Sequence, residues 1–88
     1  MLDILYFSAP WCGPCRAMKP AIDKFEETLD TTKVKIIRVD VDQDSDLVSL
    51  YNVQSVPTFV FVKDFNKVES FTGIKPIKDI QTIVEKWS

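Results

Sequence analysis

The spacing of apolar residues along the chain changes several times, and each change marks an element. Residues 2–7, LDILYF, are almost continuously apolar and stop at Ser8-Ala9-Pro10, which predicts a short strand buried on both faces. From Cys12 onward Cys15, Met18, Ile22, Phe25 and Leu29 recur at steps of three and four, the stripe of a helix, and Pro20 inside that stripe should kink it. Residues 34–41, VKIIRVDV, predict a second strand. In the acidic stretch that follows, Asp44 or Ser45 can cap a short helix carrying Leu47, Val48, Leu50 and Tyr51 and ending near Asn52. TFVFV from Thr58 and VESFT from Val68 flank the turn KDFNK and read as an antiparallel hairpin. Pro76 then opens a last helix with Ile77, Ile80, Ile83, Val84 and Trp87 on one side. The order predicts an α/β fold: a four-stranded mixed sheet, two strands parallel and two in a hairpin, with three helices packed on it.

Length and composition restrict what such a fold can do. At 88 residues, with no repeat, low-complexity segment or Gly/Ser linker, residues 1–88 form a single domain with one modest core. A net charge of −2 without a basic patch argues against nucleic acid or an anionic membrane surface as partner. No uncharged stretch reaches the roughly 20 apolar residues of a membrane span, and MLDILYF lacks the basic start of a signal peptide, so a cytoplasmic location is expected. Histidine is absent, which removes Cys-His and Ser-His-Asp catalysis as well as imidazole ligation. Two cysteines supply only half of a four-ligand zinc site, and a structural zinc would need carboxylates or a second chain, so no metal is expected; no cofactor is expected beyond a redox-active Cys12–Cys15 pair.

Those two cysteines lie three residues apart at the start of the first helix, with Gly13 and Pro14 between them. A thiol there meets free backbone N–H groups and the positive end of the helix dipole, which favour its thiolate. The thiolate is the form that attacks disulfides, so Cys12 is the expected nucleophile, accessible to reagents, and Cys15, one turn inward, the shielded resolving thiol. Gly13 removes bulk beside the attacking sulfur, and Pro14 fixes φ at a position whose N–H would be unpaired. A static disulfide closing so small a loop would add little stability.

WCGPC at residues 11–15 is identical to the active-site motif of the thioredoxin family, and the resemblance runs along nearly the whole chain. Pro20 falls where that family kinks its active-site helix. SVPTF at 55–59 resembles the segment carrying the family's cis-proline, which would place Pro57 against the disulfide. FTGI at 71–74 resembles its glycine-containing groove segment, with Gly73 sixteen residues after Pro57. The resemblance implies a minimal thioredoxin-like fold and a client groove formed by Trp11, Ser55, Val56, Pro57, Thr72, Gly73 and Ile74. It implies a dithiol–disulfide cycle in which Cys12 attacks a client disulfide and Cys15 releases the reduced client. The implied partners are disulfide-containing proteins, ribonucleotide reductase among the candidates, and a recycling enzyme of the thioredoxin-reductase type. Two other activities fit the same motif. One is an oxidase or isomerase, although such relatives usually carry histidine where Pro14 stands; the other is a thioredoxin-fold binding subunit whose thiols are not essential.

The chain also departs from the family. Tyr6 stands six positions before Cys12, where a buried carboxylate is usual, and a phenol is a poor base at neutral pH. Arg38 matches the lysine that accompanies that carboxylate and cannot deprotonate. The structural reading of Tyr6 is a core aromatic with its hydroxyl bonded to a backbone group. The family's opening strand and helix have no counterpart ahead of Leu2, so Leu2, Ile4, Ile37 or Val39 should be less buried than strand residues normally are. In the hairpin turn Phe65 replaces a usual glycine, which leaves Asn66 as the expected residue with positive φ.

Overall fold

The computed structural model describes all residues, 1–88. Its elements are β1 (Leu2–Ser8), α1 (Gly13–Glu27), β2 (Val34–Asp40), α2 (Ser45–Leu50), β3 (Thr58–Lys63), β4 (Asn66–Thr72) and α3 (Ile77–Trp87). The sheet order is β2-β1-β3-β4, with β1 parallel to β2 and antiparallel to β3, and β3 antiparallel to β4. This is the predicted mixed sheet with three helices. A bulge between Phe61 and Val62 interrupts the β3–β4 register.

Strand alternation sends the apolar residues of β1 to two different layers. Leu2, Ile4 and Tyr6 join Phe59 and Phe61 of β3 beneath Met18, Ile22 and Phe25 of α1 and Ile80, Ile83 and Val84 of α3. Leu5 and Phe7 face the other way with Val39, Val60 and Val62, under Leu47 and Val48 of α2, a helix with no fully buried residue. Asp44 caps α2 by accepting the Leu47 N–H at 3.2 Å, as its sequence position predicts. Cys12 is the N-cap of α1, not a member of it, and the helix ends at Glu27, so Leu29 packs on the core from beyond the helix. Pro20 sits on the exposed side of a helix that continues through it.

Two expectations are corrected. Leu2, Ile4 and Val39 are buried, not exposed. Leu2 and Ile4 are covered by α1 and α3, and Val39 lies in the layer under α2; of the four residues Ile37, on the edge strand β2, is partly exposed as expected, together with Ile36. In the hairpin, Lys63 pairs with Asn66, so only Asp64 and Phe65 form the turn, and both adopt positive φ, 52° and 70°. A two-residue loop that follows the strands' twist requires this at both central positions. Asn66 is already in β4, and its Nδ2 donates to the Asp64 carbonyl at 3.1 Å.

A fully exposed Phe65 at φ 70° has little contact to lose, and a left-handed backbone costs a residue with Cβ about 1–2 kcal/mol. Phe65→Gly should therefore raise stability by about 1 kcal/mol, seen as a higher urea midpoint with an unchanged slope. A lower midpoint would mean that Phe65 makes a stabilising contact which outweighs its backbone cost.

Candidate active site

The site is built where β1 runs into α1. β1 ends at Ser8; the Cys12 N–H then donates to the Ala9 carbonyl at 3.1 Å, folding Pro10 and Trp11 into a tight turn that brings Cys12 to the head of α1. Cys12 takes an extended conformation, φ −85° and ψ 108°, and its Sγ accepts the Cys15 N–H at 3.2 Å. The sulfur thus caps the helix, a position that stabilises its thiolate through a backbone donor and the helix dipole. Pro14 lies in the first helical turn, where its missing N–H costs nothing. Gly13 is exposed, and a Cβ there would meet no heavy atom within 4 Å, so nothing obstructs approach from that side.

Cys12 and Cys15 are joined as a disulfide with Cα atoms 5.3 Å apart. The expected contrast in accessibility is absent: Cys12 is 5% exposed and Cys15 4%. The Cys12 sulfur turns inward to cap the helix and close the ring, and both cysteines pack with Ala9, Val41 and Val56. No three Cys, Asp or Glu side chains converge in ligating geometry.

Trp11 is 66% exposed beside this pair, and its Nε1 donates to Asp42 Oδ2 at 2.8 Å. Trp11, Ser55 and Val56 line one apolar cleft of about 260 Å³, together with Val41, Val48 and Val53. The Val56–Pro57 peptide is cis; Pro57 is fully buried, and Val56 is the neighbour that packs on the cysteines. The other groove segment is tied to it, since the Gly73 N–H donates to the Pro57 carbonyl at 2.8 Å and the Thr58 and Thr72 hydroxyls meet at 3.1 Å. Gly73 has φ 96°, a conformation suited to glycine, and Ile74 beyond it is 59% exposed.

Behind Cys15, the Tyr6 hydroxyl donates to the Cys15 carbonyl oxygen at 3.2 Å, the backbone partner expected of a core tyrosine. Burial raises the Tyr6 pKa above the usual value near 10, and the Arg38 charge opposes this only in part. Tyr6 and Arg38 are register partners on β1 and β2, but the guanidinium reaches away to Asp23 at 2.7 Å and Glu26 at 3.1 Å. No local signal in the sequence marks Asp42, which holds Trp11, or Arg16, Lys19 and Asp40, which line the cleft behind Cys15. Only the strand register and the course of α1 bring them there.

The Thioredoxin family model matches residues 2–86. The chain belongs to the thioredoxin family. It is 38% identical to thioredoxin of Bacillus subtilis over 80 residues, 91% of this chain and 76% of that protein. It is also 38% identical to Thioredoxin-T of Drosophila melanogaster over 85 residues, which span 97% of this chain and 53% of the relative. Thioredoxin NaTrxh from Nicotiana alata superposes with a TM-score of 0.89 at 34% identity, over 98% of this chain and 72% of that one. Fasciola hepatica thioredoxin gives 0.88 at 33% identity, over 99% and 81%. With the Cys12–Cys15 disulfide, membership makes this thioredoxin-family chain a thiol–disulfide oxidoreductase.

Proposed function

We propose that the chain runs this chemistry in the reducing direction, donating two electrons from the Cys12–Cys15 dithiol to disulfides of client proteins. The observation that carries the direction is Pro14 between the two cysteines, in the first turn of α1; the Cys12 sulfur, which accepts the Cys15 N–H at 3.2 Å beside unobstructed Gly13 and the apolar cleft under Trp11, supports Cys12 as the attacking atom. Cys12 attacks one sulfur of the client disulfide; the other leaves as a thiolate and takes a proton from water. Cys15 then attacks Cys12 Sγ, the Cys12–client bond breaks, and the second client sulfur leaves reduced. A client strand lies between Trp11 and the segments around Ser55–Pro57 and Thr72–Ile74. Gly-Pro between the cysteines favours this direction over oxidation or isomerisation, because Pro14 stands where oxidising relatives carry histidine.

The cycle needs no dissociable cofactor, but it needs a partner that re-reduces the pair, an enzyme of the thioredoxin-reductase type. Ribonucleotide reductase is a client of the right chemistry, and the cytoplasm is the compartment in which a reductant of this kind acts. Equilibration with glutathione tests the direction. The expected potential lies near about −270 mV, the value the family's reductants show, whereas one near about −180 mV, typical of disulfide isomerases, would overturn it.

A further inference from the structure

For Cys15 to attack Cys12 it must first become a thiolate, and the groups behind it decide how readily that happens. Cys15 opens on a cleft of about 260 Å³, faced by Tyr6 and Ser8 from β1, Arg16 and Lys19 from α1, and Arg38 and Asp40 from β2. Its volume exceeds the roughly 30 Å³ of one water several times over, so the Cys15 proton has a wet exit. Of the three cations, Arg38 is engaged by Asp23 and Glu26 and Lys19 by Asp23 at 2.8 Å, whereas Arg16 has no ion-pair partner. Asp40, the one carboxylate lining the cleft, spends Oδ1 on the Asp42 N–H at 2.9 Å. Two hydroxyls remain, those of Ser8 and Tyr6, and of these it is Tyr6 that already reaches Cys15, at its carbonyl oxygen. A hydroxyl rotates about its C–O bond to suit its acceptor.

We infer that Tyr6 is a hydrogen-bond donor to the Cys15 thiolate during resolution, so that this site stabilises the anion where a carboxylate would take the proton. This rests on Cys15 being the resolving thiol, as proposed above. In the mixed disulfide the Cys15 proton leaves to water in the cleft, and the Tyr6 O–H turns from the carbonyl oxygen to the sulfur. The thiolate then attacks Cys12 Sγ, and the client sulfur departs with the electron pair of the broken bond. Burial keeps Tyr6 protonated throughout the range in which a thiol titrates, so it remains a donor. The cations favour the same anion, and Asp40 opposes it.

Stopped-flow reaction of the reduced protein with one equivalent of Ellman's reagent separates the two steps, because Cys12 attack releases the first coloured thiolate and Cys15 resolution the second. Tyr6→Phe keeps the ring and removes only the donor. The expected result is a pH midpoint of the second phase raised by about one unit. The second phase should be about tenfold slower relative to the first at pH 7, with the difference closing at high pH. The pH dependence of Cys15 alkylation in Cys12→Ser, with and without Tyr6→Phe, should show the same shift. An unshifted midpoint, or a second phase slowed equally at every pH, would overturn the donor role while leaving Cys15 as the resolving thiol. If the unsubstituted protein releases no second equivalent, the resolving assignment falls and the Tyr6 role with it.

Discussion

Cys12→Ser is expected to abolish insulin reduction, lowering the rate by at least about a thousandfold, since a serine hydroxyl at neutral pH is a very poor nucleophile toward sulfur. The fold should survive: the hydroxyl oxygen can still accept the Cys15 N–H that Cys12 Sγ accepts at 3.2 Å, and serine is a favoured N-cap. Circular dichroism of the variant would show this. Cys15→Ser should behave differently. It keeps the nucleophile and loses the resolving thiol, so the protein should accumulate as a mixed disulfide with its client, visible as a higher-mass species that collapses on adding dithiothreitol. The pair of variants separates the two classes of function. A binding subunit with incidental thiols would keep its activity in Cys12→Ser, and an insulin assay in which that variant matched the unsubstituted protein would remove the nucleophile assignment.

The second large effect is on stability. Phe59→Ala should cost about 3–5 kcal/mol, the usual range for emptying a buried phenylalanine site. Phe59 is 2% exposed and stacks between Tyr6 at 4.8 Å and Phe71 at 4.7 Å. Stability of a domain this size is only about 5–15 kcal/mol, so the loss should take a large share of it, lowering the thermal midpoint by more than about 10 °C. The damage should reach the site, because the ring of Tyr6 loses the neighbour that holds it under Cys15. A midpoint within a few degrees of the unsubstituted protein would show that Tyr6 and Phe71 collapse into the gap.

These expectations draw on features that differ in how far the sequence reveals them. The strands and helices are legible because their causes are local. A continuous apolar run and the three-to-four-residue stripe of a helix each lie within a few residues, and Asp44 caps the N–H of Leu47 three positions on. The hairpin turn lies within KDFNK as expected, but its positive-φ residues are not legible locally. KDFNK offers Asn66 as the conventional residue for positive φ, but the pairing of Lys63 with Asn66 shortens the loop to Asp64 and Phe65, and the register is fixed by core packing along β3 and β4.

The order of elements, the helix-start position of Cys12 and the separation of the two cysteines by a single turn are legible in the amino-acid sequence. All of these follow from covalent neighbours and one turn of backbone. Tertiary structure alone decided that Cys12 is as buried as Cys15, since that depends on Ala9, Val41 and Val56 meeting from three segments. It likewise decided that Leu2 and Ile4 are covered while Ile36 and Ile37 lie at an edge, because the strand order β2-β1-β3-β4 is not the chain order. The Trp11–Asp42 bond spans 31 residues, and the cleft that sets Arg38 and Asp40 near Cys15 exists only once β2 lies parallel to β1 in its particular register. Such contacts have no local signal: each is stabilised by burial and pairing elsewhere in the sheet, and the side chains meet because the backbone beneath them is already fixed.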